Sequence, residues 1–405
     1  SVRLGDWEAA AAQAKAALDG VLPPKERTAA HVVMGIAHTL GGAYETASAA
    51  FERALMHASR CEVPERCRTD VRYEQANSLV SQLRYREAVT VLEPLVDSLR
   101  QARRIALARA WLGASYQALG DFDAARSQIE MALATEGLEP FDEAEVLTNA
   151  AGVYGDFGEL EKVSQLQRRG LNLVREQLGP SHPYTLTQLN NQALALKNLG
   201  RFAEAEAMLR QVVRERTEAY GPDNVDLSAT HFNLAHALVL QERLEEALVS
   251  FEEAIRVGSL AWPSSPRMGL FKVIYADALS RLGRSRQAET FFASGLALMP
   301  VNADGSLHPL TARTRVRFAA FASERGRHPQ ALKTFVEVAP VLREVYGPDS
   351  RQYAECQWYH GLALQRAGRL EEGKATLLEA VNSLEASPYR ALYQKEIERG
   401  RSQLP

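Results

Sequence analysis

Cysteine is scarce in this chain: three among 405 residues, at Cys61, Cys67 and Cys356. An odd number with no recurring spacing makes no disulfide framework and fits a reducing, cytoplasmic compartment. Cys61 and Cys67 lie near a helix joint without a second pair. A structural zinc site needs four ligands, so no metal is expected. Charge of one sign is also lacking. The formal net charge of −3 speaks against nucleic acid as the main partner. No apolar run approaches the ~20 residues needed to span a bilayer, and no signal peptide is visible. No Gly-rich phosphate loop with Lys-Ser/Thr is present, and no G-x-G-x-x-G, G-x-S-x-G or H-E-x-x-H string. Without a constellation of nucleophile and base, the expectation is a protein that is not an enzyme and needs no cofactor. No Ser/Gly/Pro tract or charge block marks an interior linker.

What the chain has instead is a period. Gly158 and Gly200 are 42 residues apart, as are Gly326 and Gly368 after a longer multiple of the same interval. Gly179, Gly221, Gly305 and Gly347 keep that period half a unit away. A fixed period of this size signals a solenoid. Before residue 143 the interval between turns shrinks to 37 or 38. The reading is therefore a degenerate array over 1–142, a regular one over 143–384 and a capping helix over 385–405.

Each unit reads as two amphipathic helices. Leu186, Leu189, Ala193, Leu196 and Leu199 make one apolar stripe, and Phe202, Ala205, Leu209, Val212 and Val213 the next, both at helical spacing. Gly200-Arg201 turns the chain between them. Equivalent turns stand at Gly42, Leu83, Gly120, Gly158, Glu242, Gly283, Gly326 and Gly368. Small residues recur just inside the second helix: Ala47, Ala88, Ala125, Ala205, Ala247, Ala288 and Ala331. They let two helices approach closely. At the other joint, Gly179-Pro180, Gly221-Pro222 and Gly347-Pro348 end one helix, and Ser181, Asp223, Asn224 or Ser350 suits the start of the next. His182 and His308 hold the same cap position and are read as structural.

The run from Leu178 to Pro183, with Asn190, Asn191, Ala193, Leu199, Gly200, Arg201, Phe202 and Ala205, resembles the tetratricopeptide repeat. More narrowly, it resembles the 42-residue variety of kinesin light chains and their bacterial relatives. The match is strong over 143–382 and departs at Glu242 and Pro263, where Gly is replaced. The resemblance implies an all-α, right-handed superhelical solenoid of about nine to ten helix pairs. The string Leu4-Gly5-Asp6-Trp7 matches the turn that precedes a second helix, so the start is read as interior to a longer protein or array.

In such arrays the first helices line the concave face. Stepping back along them from each turn picks out Asn149 and Gly152, then Asn191 and Asn198, then Asn233 and His236. Asparagine is a poor helix former, but its amide pairs with an extended peptide backbone. In the family resembled, asparagine here contacts bound peptide. The alternative is an inter-repeat hydrogen bond. Further along, Arg313 and Arg317 lie one turn apart, where they can grip a carboxylate or phosphate, and Tyr359 follows. The expected partner is a protein or peptide with an acidic or phosphorylated portion. Two roles fit: a scaffold with a peptide groove, or the ligand-sensing part of a larger bacterial signalling protein.

Overall fold

Left-handed backbone at the repeat turns divides the chain into helices. Gly158, Gly200, Gly326 and Gly368 adopt φ of 74, 79, 75 and 83°. Where glycine is replaced, Glu242 takes φ 61°, the one non-glycine at positive φ among the described residues. The repeat imposes this conformation even on a residue that resists it. The computed structural model describes residues 7–41, 43–82, 84–302 and 305–402. Leu4 to Asp6, Gly42 and Leu83, named above as turn residues, lie outside them. Among the described residues there are twenty α-helices and one short 3-10 turn, with no strand.

The chain forms two compact units, Ser1–Phe157 and Gly158–Pro405. The division falls later than the change of period at residue 142. In the first unit, α1 (Trp7–Leu18) precedes α2 (Pro24–Leu40), α3 (Tyr44–Ala58), α4 (Pro64–Ser81) and α5 (Tyr85–Ser98). There follow α6 (Ala102–Leu119), α7 (Phe122–Leu133) and α8 (Pro140–Asp156). The second unit begins with α9 (Leu160–Leu178), α10 (Pro183–Asn198), α11 (Phe202–Tyr220), α12 (Asp226–Leu240) and α13 (Leu244–Ala261). It continues through α14 (Pro266–Arg281), α15 (Ser285–Leu296), α16 (Pro309–Glu324) and α17 (His328–Tyr346). It ends with α18 (Arg351–Arg366), α19 (Leu370–Ala386), a 3-10 turn (Arg390–Tyr393) and α20 (Gln394–Arg401). Within each unit a helix packs on its successor, and first helices also pack on the first helices of the next pair, as α2 does on α4 and α16 on α18.

The core repeats with the sequence. All seven alanines named above are fully buried. Four residues further on, Phe51, Leu92, Ile129, Leu209, Phe251, Phe292 and Phe335, with Leu377 four beyond Gly373, fill the space between helices, none more than 1% exposed. The equivalent of α9 is Gln167, which is buried with its Oε1 unpartnered among the described residues. Caps follow expectation: His182 Nδ1 accepts from Tyr184 N–H at 3.2 Å, and His308 Nδ1 from Leu310 N–H at 3.1 Å.

One expectation is corrected. Cys61 and Cys67 are joined as a disulfide, with Cα atoms 6.6 Å apart, so a sequence separation of six at a helix joint suffices for pairing without any wider framework. Only Cys356 is a free thiol, buried in α18, where burial and then Glu355 push its pKa up to about 12. The C-terminal segment packs its apolar side chains inward. Tyr389 and Ile397 are buried, and Gly400 sits against Trp358 and Val381.

Candidate functional site

The second unit contains a cavity of about 890 Å³. Its walls come from the first helices α10, α12, α14, α16 and α18, closed on one side by the 3-10 turn and α20. Successive first helices present equivalent faces because the repeat holds each in the same register, so residues a repeat apart converge on one space. Asn198, His236, Arg313, Arg317 and Tyr359 all line it. Asn191 and Asn233 lie on the same helices but outside the lining. Asn149 and Gly152 belong to the first unit.

The asparagines do not act alike. Asn149 Nδ2 donates to the Glu145 carbonyl of its own helix at 2.9 Å. Asn233 Nδ2 donates to Asn190 Oδ1 at 3.2 Å, which is the inter-repeat bond named as the alternative. Only Asn198, two turns nearer the bend, faces the cavity.

The two arginines do not form a joint grip either. Arg317 lies between Asp277 Oδ2 at 3.2 Å and Glu355 Oε1 at 2.6 Å, joining α14, α16 and α18. Burial works against its charge, but Glu355 and Asp277 outweigh burial and hold the guanidinium charged. Arg313 lies 6.0 Å from the Tyr346 ring centre instead. Burial, reinforced by Asp277, holds the Tyr359 phenol well above its ordinary range, so it stays a neutral donor in this wall.

Sequence reasoning passed over Lys197. It lies in α10 and is only 6% exposed, with Nζ 3.2 Å from Nδ1 of His236. No carboxylate pairs with it among the described residues. Glu242 faces Arg281 and Lys395, and Glu324 faces Arg366. Burial, then Arg351, brings the Lys197 pKa down to about 8. Burial, then Lys197 with Arg317 and Arg351, keeps His236 well below its ordinary value and therefore neutral. The site thus holds a buried ammonium with unused donors beside a neutral imidazole. Lysines and arginines outnumber carboxylates in the lining, seven to five. The signal in the sequence was a cation on the inner helix, one residue before Asn198, where an apolar residue would pack better.

One edge of the cavity is made by the chain itself. Pro388 lies against Gly158, Ala391 against Gly200, and Lys395 Nζ meets Glu242 Oε1 at 3.2 Å. Tyr393 Oη donates to Glu355 Oε2 at 3.4 Å.

Models of the tetratricopeptide repeat match residues 2–60, 73–143, 142–214, 186–258 and 310–386. No curated protein matches the chain in sequence. Among solved structures, a Rap protein complexed with competence and sporulation factor is similar at TM-score 0.55 and 11% identity, over 93% of this chain and 98% of that one. The apo quorum sensor NprR from B. thuringiensis is similar at 0.53 and 16%, over 73% and 83%. BtubC from P. vanneervenii gives 0.43 and 17%, over 57% and 90%. The identities are low, and the first two likenesses speak to the fold alone.

Proposed function

Because this chain belongs to the tetratricopeptide repeat family, we propose that it works by binding, not catalysis, and holds a peptide or protein segment in the cavity of its second unit. The observation that carries this reading is the convergence of five first helices on one cavity with Lys197 buried there without a counter-charge. A buried ammonium costs stability when no anion accompanies it, which favours a ligand bearing a carboxylate or phosphate. Asn198 and Tyr359 add neutral polar contacts, and Leu194, Phe232, Leu240 and Ile274 add apolar surface. Pockets of this mixed lining suit specific ligands. Use as the sensing part of a larger signalling protein is the second reading, favoured by neighbours whose names are a Rap complex with a factor and a quorum sensor.

Selection from a displayed library of random peptides gives the test. Returned peptides should be enriched in acidic residues. Asn198→Trp with Leu240→Trp fills the cavity from two half-buried positions. That variant should lose at least tenfold in affinity while its helical spectrum and melting temperature stay those of the wild type. Equal binding to both proteins would place the site elsewhere and overturn the reading.

A further inference from the structure

The repeat turns of the second unit share one backbone geometry but not one environment. At Gly283, Gly326 and Gly368 a Cβ would meet nothing within 4 Å. At Gly158 it would overlap Pro388, and at Gly200 it would lie 2.8 Å from the Cβ of Ala391. At the third successive turn the occupant is a charge: Glu242 receives Lys395. The turn positions recur every 42 residues, and the residues that meet them follow at intervals of three and four, one face of a helical segment. The segment 388–395, a bend followed by the 3-10 turn and the first residues of α20, thus meets three consecutive repeats. At the three later turns, of the same geometry, no atom among the described residues comes within 4 Å of the Cβ position.

Its hold is local and weak where it crosses the turns. Pro388 and Lys395 are exposed, and the Lys395–Glu242 pair has side chains 59% and 45% exposed. Such an exposed, solvent-screened pair holds weakly. The firmer contacts lie off the turns: Tyr389 is buried beneath Arg351, Tyr393 bonds Glu355, and Ile397 and Gly400 rest on the α18–α19 pair. Leu392, Tyr393, Lys395, Glu396 and Arg399 meanwhile form one wall of the cavity.

We propose that the segment 388–395 is a built-in competitor, seated on the turns at Gly158, Gly200 and Glu242, and that a ligand gains the cavity by lifting it off. The seat accepts a short helical segment with small residues followed by a cation, in the spacing Pro388, Ala391, Lys395. The competition rests on the cavity being the binding site; the seat itself does not. Tethering gives a resident segment an effective concentration in the millimolar range. A competing segment therefore binds with its affinity multiplied by the fraction of molecules whose seat is open.

The probe is a fluorescein-labelled synthetic peptide of residues 387–401, titrated into full-length protein and followed by anisotropy. Wild type should bind it weakly, because its own copy fills the seat. Ala391→Trp, which cannot sit against Gly200, should bind it at least tenfold more tightly. Adding Glu242→Lys to that variant should abolish the gain. Amide exchange supplies a second readout: Ala391→Trp should lose protection over 388–395 while α18 and α19 keep theirs. If α18 and α19 lose protection too, or if the labelled peptide binds no variant, the segment is a structural cap and the proposal is overturned. Cavity-filling Asn198→Trp with Leu240→Trp tests the cavity separately. Selected peptides binding that variant normally would sink the cavity reading while the seat stands.

Discussion

Lys197 shows how one residue sets stability against binding. Its pKa of about 8 lies below the 10.5 of a free lysine, so the folded state resists carrying its charge. Between these values the unfolded chain binds more protons than the folded one, and stability rises with pH. The cost is present in full below pH 8 and is relieved as pH climbs from 8 towards 10.5. Lys197→Met should therefore melt higher than wild type at pH 7, by a margin on the order of 2 kcal/mol. The margin should narrow through pH 8–10 in parallel scanning-calorimetry series. A variant that melts lower at pH 7 would mean the Lys197–His236 bond outweighs the buried charge. Gln167 is a second polar intruder, at a position where every other named repeat residue is Phe, Leu or Ile. Its place in the pattern was legible in the sequence; its orphaned Oε1 was not, because partners are fixed by neighbouring helices and not by period.

At the scale of elements, the turns were the most legible feature. Composition demands glycine where φ is positive, and glycine on a fixed grid names the turn without reference to tertiary structure. Pair boundaries, caps at His182 and His308 and the buried alanines all follow from that grid. The interior of the site was less legible. Offsets along a helix gave the face correctly enough to bring Asn198, His236, Arg313, Arg317 and Tyr359 to the cavity. They could not show that Asp277 and Glu355 already hold Arg317, because those carboxylates come from helices one repeat on either side. Nor could they separate Asn233, bonded to Asn190, from Asn198, which faces open space. Turn geometry itself yields a contrast. Gly200→Val and Gly326→Val both force a β-branched residue to φ near +79° and +75°, at about 1–3 kcal/mol each. Only Gly200 also lies under Ala391. Gly200→Val should thus destabilise more than Gly326→Val and raise amide exchange over 388–395, whereas Gly326→Val should leave that segment protected. Equal effects on 388–395 would show the contact at Gly200 to be incidental.

Across the whole molecule, each unit is built from nearest-neighbour packing, so a change in one repeat is felt chiefly by the next. This gives the unoccupied turns at Gly283, Gly326 and Gly368 a practical meaning. They are tight bends within helix pairs, with no crossing segment among the described residues, and lengthening a surface loop costs only about 0.6 kcal/mol per doubling. A flexible eight-residue Gly/Ser insert after Gly326 should leave helical content and melting within experimental error of the wild type. The same insert after Gly200 should loosen the C-terminal segment and lower the melting temperature. Those three bends are mounting points, where a fluorophore, an affinity tag or a second binding domain can be attached without disturbing the cavity between the helices.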